Sequence, residues 1–292
     1  MGGLLGGSYM RFDINISPLD LDLTLGCGQT FRWRKAPDGF WEGPLGNQFI
    51  RLGQKGSIVH IEASPEGREV EGLVRTHLRA DDDVRGIQKA LAEDPVMAAG
   101  ISELKGLRIV KIDEWECLIS FILATYANIP RITKMIETLS TRYGERIIAG
   151  VNSFPSQDRL RRAPLSELAK CGFGYRAKFI HEACKVLDDD ALSEFQKMSY
   201  EDLRDELKQL PGVGDKVADC VSLFGFGRLD AFPIDVWIER ALGRLYHRKG
   251  SYNSLREFAQ ERFGPYAGYA QEYLYYNERL RAPGGTCMFS EK

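Results

Sequence analysis

The sequence predicts an α+β chain, mostly α, in which an N-terminal antiparallel β-rich domain leads into a helical domain. Three observations carry this expectation. Between residues 31 and 63, apolar and polar residues alternate around Gly43-Pro44, Gly46-Asn47 and Gly53, the period-two pattern of short antiparallel strands. From Glu114 onward, apolar residues recur at helical spacing over most of the chain. With 292 residues, 43% hydrophobic and 27% charged, the protein is long enough for two domains. Residues 1–9 then read as a glycine-rich, disordered extension, 10–108 as the β-rich domain and 109–292 as the helical domain.

After the strands, helices are expected near 68–79 and 83–94, then over 115–123, 131–143, 164–170, 175–187 and 252–263. Residues 200–210 place leucines at 203, 207 and 210, the spacing of one helical face. Pro211-Gly-Val-Gly214 interrupts the pattern, and 216–224 resumes it with apolar residues at 217, 220, 221 and 224. The unit is helix, hairpin, helix.

That hairpin has a chemistry of its own. Pro211 stiffens the entry, while Gly212 and Gly214 permit backbone angles and a close approach that a Cβ would obstruct. Backbone N–H groups of the turn and the helix start then converge on an anion such as a DNA phosphate. Lys216 falls in the first turn of the second helix, where the macrodipole and partial burial favour a neutral, nucleophilic amine. Such an amine can attack the anomeric carbon of a deoxyribose and leave a Schiff base on the protein. Asp235 follows Pro233-Ile234 and precedes Val-Trp-Ile-Glu-Arg-Ala-Leu, the position of an N-cap. Facing the sugar, its carboxylate suits stabilisation of oxocarbenium character and proton movement from the amine.

The run Leu210-Pro-Gly-Val-Gly-Asp-Lys216 followed by Asp235 resembles the helix-hairpin-helix (HhH-GPD) DNA glycosylase superfamily, and Lys216 its bifunctional, lysine-bearing members. Four further segments narrow the resemblance to the 8-oxoguanine DNA glycosylase family: Gly28-Gln-Thr-Phe-Arg-Trp33, Asn128-Ile-Pro-Arg-Ile-Thr133, Gly172-Phe-Gly-Tyr-Arg-Ala177 and Gly264-Pro-Tyr-Ala-Gly-Tyr-Ala-Gln271. The resemblance implies a bifunctional glycosylase/AP lyase excising 8-oxoguanine from double-stranded DNA, with cytosine favoured as the opposite base. It implies that the Gly28 carbonyl accepts the N7 hydrogen that guanine lacks, that Gln271 reads the Watson–Crick edge, and that Cys220 and Tyr275 sandwich the base. Asn128, Arg131, Tyr175 and Arg176 match positions that fill the gap and contact the orphaned cytosine, and Gly212 and Gly214 match the phosphate hairpin. The carbonyls of Lys208, Leu210 and Val213 match those that hold a monovalent cation. The chain departs from the pattern at Tyr126 and Ala127, where asparagines are common, and at Trp237, where a phosphate-anchoring His is common.

Composition permits this reading without suggesting it. The net charge of −2 and pI near 6.2 are unusual for a DNA binder, so binding must rest on local patches. Candidates are Arg159, Arg161, Arg162, Arg176 and Lys178, and Arg240, Arg244, Arg248 and Lys249. The cysteines at 27, 117, 171, 184, 220 and 287 lack zinc or iron-sulfur spacing and suit a reducing, intracellular compartment, with the DNA. No cofactor, cluster or membrane span is expected, and the default assembly is a monomer. Two alternatives remain open on sequence alone: a lysine-dependent glycosylase for another oxidised base, or a noncatalytic DNA-binding module.

Overall fold

In the computed structural model, residues 9–188 and 190–281 are described. The expected extension over 1–9 lies outside them except for Tyr9, and so does Cys287.

Strand β1 (Met10–Asn15), helix α1 (Leu21–Gly26) and strands β2 (Arg34–Lys35), β3 (Trp41–Leu45), β4 (Gln48–Lys55) and β5 (Ile58–Ser64) open the chain. The five strands form one antiparallel sheet in the order β1-β5-β4-β3-β2. Two-residue hairpin loops join β3 to β4 and β4 to β5, with Gly46 and Gly56 at positive φ as such loops require. Along β5, Val59, Ile61 and Ala63 are buried and alternate with more accessible residues. The predicted sheet is therefore present, but it gains β1, whose partner lies far along the chain, with Ile14 opposite Val59.

Helices α2 (Val70–His77), α3 (Val84–Leu91), α4 (Pro95–Glu103), α5 (Glu114–Ala124) and α6 (Ile129–Tyr143) follow. Neither α1 nor α4 was expected, and each is started by an aspartate cap, Asp20 or Asp94, that accepts from the first turn. A short hairpin, β6 (Arg146–Ile148) and β7 (Val151–Asn152), interrupts the largely helical stretch expected after Glu114. Then come α7 (Gln157–Arg162), α8 (Leu165–Ala169), α9 (Arg176–Val186), α10 (Ala191–Phe195), α11 (Tyr200–Lys208), α12 (Asp215–Cys220), α13 (Val236–Leu245), α14 (Tyr252–Phe263) and α15 (Ala267–Arg281).

Helix α5 is apolar around nearly its whole circumference, and from Cys117 to Ala124 every residue is buried. Such a helix belongs in a core, and α6, α9 and α12 pack around it. Each large apolar side chain it buries contributes about 1.5–3 kcal/mol. The core is continuous from Ile14 to Tyr276, across the expected boundary at 108/109. Trp33 stacks on His77 at 5.3 Å, and burial lowers that histidine to about 4, so it packs as a neutral ring. At the end of the chain α15 packs against both α4 and α13, returning the C-terminal helix to the turn that contains Gly28.

Candidate active site

The hairpin lies between α11 and α12. Gly212 has φ +84°, and a Cβ there would sit 2.7 Å from the Phe179 ring, so both backbone and packing demand glycine. Gly214 precedes α12 with no side-chain cap, and a Cβ at that position would meet open space. The first amides of α12 thus have no side-chain cap. Helix α12 does not continue as α-helix to residue 224: from Val221 to Gly225 it widens into a π-helix, where the Phe226 N–H reaches the Val221 carbonyl at 3.1 Å. The Phe224 carbonyl instead accepts from the Ile112 N–H at 2.8 Å, and its ring stacks on Phe121 at 5.7 Å. The widened turn locks α12 to α5.

Lys216, in the first turn of α12, is solvent-exposed rather than partly buried as expected, because the cleft it faces is open. Asp235 caps α13 as predicted. Its Oδ1 accepts from both Trp237 N–H and Ile238 N–H at 3.0 Å, so the cap occupies one carboxylate oxygen and spares the other. Both residues line a cleft of about 850 Å³, within the usual size of a small-ligand site.

A buried network ties the lysine helix to the aspartate loop. Asp219, on α12 and wholly buried, accepts from Tyr200 Oη at 2.7 Å, Arg204 Nε at 2.9 Å and Tyr252 Oη at 2.6 Å. Tyr252 Oη in turn accepts the Ile234 N–H at 3.2 Å, one residue before Asp235. Burial raises the Asp219 carboxyl, while Tyr252, Arg204 and Tyr200 pull it down. Asp215, next to Lys216, is held below its ordinary range by Lys208 at 2.8 Å, with Arg204 adding to it, so its charge is compensated locally.

The remaining cleft wall comes from distant parts of the chain. Gly28 has φ +102°, and a Cβ there would meet Arg279 Nη1 at 2.7 Å and Ile129 Cδ1 at 2.9 Å. Gln29 clamps this turn: its Nε2 donates to the Thr24 and Arg108 carbonyls and its Oε1 accepts from Val110 N–H, all at 2.8 Å. Cys220 lies one helical turn beyond Lys216 on the same face, and burial pushes its thiol up to about 12. It remains a neutral wall at physiological pH, which leaves the lysine as the nucleophile in reach. Gln271 and Tyr275, successive on one face of α15, also line the cleft, and the phenol of Tyr275 is raised by burial. Gly28, Lys216, Cys220, Asp235, Gln271 and Tyr275 are thus assembled around one space, together with Trp237 and Asn128.

The expected opposite-base residues divide. Arg131 is exposed, and Tyr175 is 51% exposed. Asn128 spends its Oδ1 on capping α6, accepting from Arg131 N–H at 3.1 Å. Arg176, expected to contact the orphaned cytosine, is turned inward. Only 3% exposed, it donates from Nε to the Thr125 carbonyl at 2.9 Å and lies under the Tyr175 ring. The Thr125 carbonyl at the end of α5 needs a donor, and Arg176 supplies it. It thereby braces the turn that carries Tyr126, a residue with φ +49° and 94% exposure on the cleft rim. Part of the expected basic surface is also consumed internally: Arg161 donates to the Cys184 and Leu187 carbonyls, Arg162 pairs with Asp158 and Arg244 with Glu278. Arg240 stacks over Trp237 at 5.0 Å.

Leu210 O, one of the three carbonyls matched to a cation, accepts Val213 N–H at 3.1 Å and keeps a second lone pair. Among the described residues no cluster of His, Cys, Asp or Glu side chains could hold a metal, and no helix is long and apolar enough to cross a membrane.

Residues 11–118 match the model of the 8-oxoguanine DNA glycosylase N-terminal domain, and residues 119–265 that of the HhH-GPD superfamily of base excision DNA repair proteins. The chain belongs to the 8-oxoguanine DNA glycosylase family. Within this family it is 32% identical to the N-glycosylase/DNA lyase OGG1 of Arabidopsis thaliana, over 89% of this chain and 77% of that one. It is also 32% identical to the N-glycosylase/DNA lyase of Saccharomyces cerevisiae, over 95% and 88%. The 8-oxoguanine glycosylase/lyase of Clostridium acetobutylicum superposes with a TM-score of 0.85 at 29% identity, covering 91% of this chain and 95% of that one. The structure also brings to the family's cleft Tyr126, noted above as a departure from the family pattern, and two residues that the sequence did not single out, Glu272 and Arg279. Glu272 lies three residues before Tyr275 and Arg279 four beyond it, so helical spacing about that expected residue was the signal available.

Proposed function

We propose that this protein excises 8-oxoguanine from duplex DNA and then cleaves the strand as an AP lyase. The observation that carries the reading is the convergence of Lys216 and Asp235 on the cleft that Gly28, Cys220, Gln271 and Tyr275 also line. The extruded base enters the cleft, where the Gly28 carbonyl accepts its N7–H. Guanine would present a lone pair to that oxygen, an unpaired and repulsive contact. The Lys216 amine attacks C1′ as the bond to N9 breaks, and the electron pair leaves with the base, which takes up a proton. Asp235, through the oxygen its cap does not use, stabilises positive charge on the sugar and relays the amine proton. The sugar ring opens to a Schiff base. Loss of a C2′ proton then expels the 3′ phosphate by β-elimination.

On the DNA side, the gap left by extrusion must be filled, since an unstacked hole costs a few kcal/mol. Tyr126, held out at the rim, and Tyr175 are placed for this, and Arg131 supports cytosine as the opposite base. A relative's complex contains cytosine opposite 8-oxoG, which agrees with that choice. Gly212, Gly214 and the first amides of α12 take a phosphate, with Trp237 beside them, and a monovalent cation on the hairpin carbonyls belongs to the same reading. The protein acts wherever the cell keeps its DNA, one copy per lesion.

The test is excision from otherwise identical duplexes carrying 8-oxoguanine, an oxidised pyrimidine or guanine opposite cytosine. We expect release of 8-oxoguanine at least a hundredfold faster than of either alternative. A pyrimidine preference would overturn the substrate assignment.

A further inference from the structure

We propose that Glu272 is a second reader of the base's Watson–Crick edge, accepting hydrogen bonds from the exocyclic amine and ring N–H of a guanine-type base beside Gln271. The inference rests on the reading that the cleft takes 8-oxoguanine.

Glu272 is 2% exposed and lines the cleft, and its Oε1 has no hydrogen-bond partner. A buried carboxyl oxygen left in that state is costly, so a partner supplied by a ligand is worth more here than at the surface. The nearby protein groups do not satisfy it. The Cys27 thiol lies within reach, but its single proton is shared with the Thr24 carbonyl at 3.4 Å. Arg279, seven residues on along α15, donates to the Cys27 carbonyl at 2.6 Å, and no ion pair joins it to Glu272 among the described residues. Asp235, also in the cleft, is a second acid. Gln271 Oε1 is buried and unpartnered as well.

The count of acceptors is the specific part. Gln271 Oε1 and Glu272 Oε1, with the Gly28 carbonyl, give the cleft three acceptor positions without a protein donor for two of them. 8-Oxoguanine presents donors at N1, at the exocyclic N2 and at N7. Adenine offers a lone pair at N1. An oxidised pyrimidine offers one N–H between two carbonyls, which would set oxygen against oxygen. A carboxyl beside a carboxamide therefore favours the base with adjacent N1–H and N2–H donors.

The test compares single-turnover excision of 8-oxoguanine with that of 8-oxohypoxanthine, the same base without its exocyclic amine, both opposite cytosine, and cleavage of a preformed abasic site. Wild type is expected to prefer 8-oxoguanine, and Glu272→Ala to lose at least tenfold of that preference with abasic-site cleavage unchanged. Glu272→Gln, which keeps one acceptor oxygen, is expected to restore part of it. Three results would overturn the proposal. If wild type excises 8-oxoguanine while Glu272→Ala keeps the full preference, the residue only packs and the assigned function stands. If Glu272→Ala loses both bases and abasic-site cleavage alike, its role is structural. If wild type excises neither base, the function and this inference fall together.

Discussion

At Gly28 a methyl group would have nowhere to go. The position combines φ +102° with a Cβ site 2.7 Å from Arg279 Nη1 and 2.9 Å from Ile129 Cδ1. The arginine tip can swing away, but it is held by the Cys27 carbonyl, and the isoleucine methyl is packed at the start of α6. Gly28→Ala is therefore expected to push the lesion-facing carbonyl out of register and reduce 8-oxoguanine excision at least a hundredfold. Cleavage of a preformed abasic site, which needs Lys216 and no base, should stay within about threefold of wild type. Equal losses in both assays would mean that the turn supports the fold and not the base. That Gly28 lines the cleft was legible from sequence, as it was for Lys216, Asp235 and Gln271, each in a short motif, and for Cys220 through the family resemblance; the environment of Arg176 was not. Its charge suggested solvent and DNA, while its environment is decided by a carbonyl on Thr125, fifty-one residues away.

Between elements, the important contact is the one through which α11, α12 and α14 hold the Asp235 loop. Tyr252 Oη donates to Asp219 on the lysine helix and accepts from Ile234 on the aspartate loop, so one hydroxyl ties together the elements that carry the proposed catalytic pair. Tyr252→Phe leaves a wholly buried carboxylate one donor short, at a cost of about 1–3 kcal/mol. Its denaturation midpoint should fall accordingly, and base release and abasic-site cleavage should both slow about tenfold, since both use Lys216 and Asp235. A destabilised protein with wild-type rates would show that the network holds the core only. Helices such as α5, α6 and α11 were visible through their apolar period. The π-helical turn after α12 was not, because its packing partners, the Ile112 N–H on the Phe224 carbonyl and Phe121 under the Phe224 ring, come from about a hundred residues upstream. Nor was β1, whose alternation is short and whose partner strand lies beyond the other three.

Across the whole molecule, the cleft is built from the Gly28 turn, the α5–α6 turn, α12, the Asp235 loop and α15, so no single segment contains it. The order of motifs was readable, but their convergence depends on α15 folding back against α4 and α13. The same return places the charged side chains of Glu272 and Arg279 in the wall of the cleft. The near-neutral balance of 39 basic and 41 acidic residues leaves few cations to face a polyanion, since several arginines are paired or buried, and the proposed phosphate contact at the hairpin needs only backbone amides. The central claim is that Lys216 forms a Schiff base with the sugar of an 8-oxoguanine nucleotide. Borohydride reduction during turnover on a duplex with one 8-oxoguanine opposite cytosine tests it most directly. Wild type should be trapped as a covalent protein–DNA adduct and Lys216→Gln should not, whereas base excision by wild type with no adduct, or an undiminished adduct in the variant, would contradict the account.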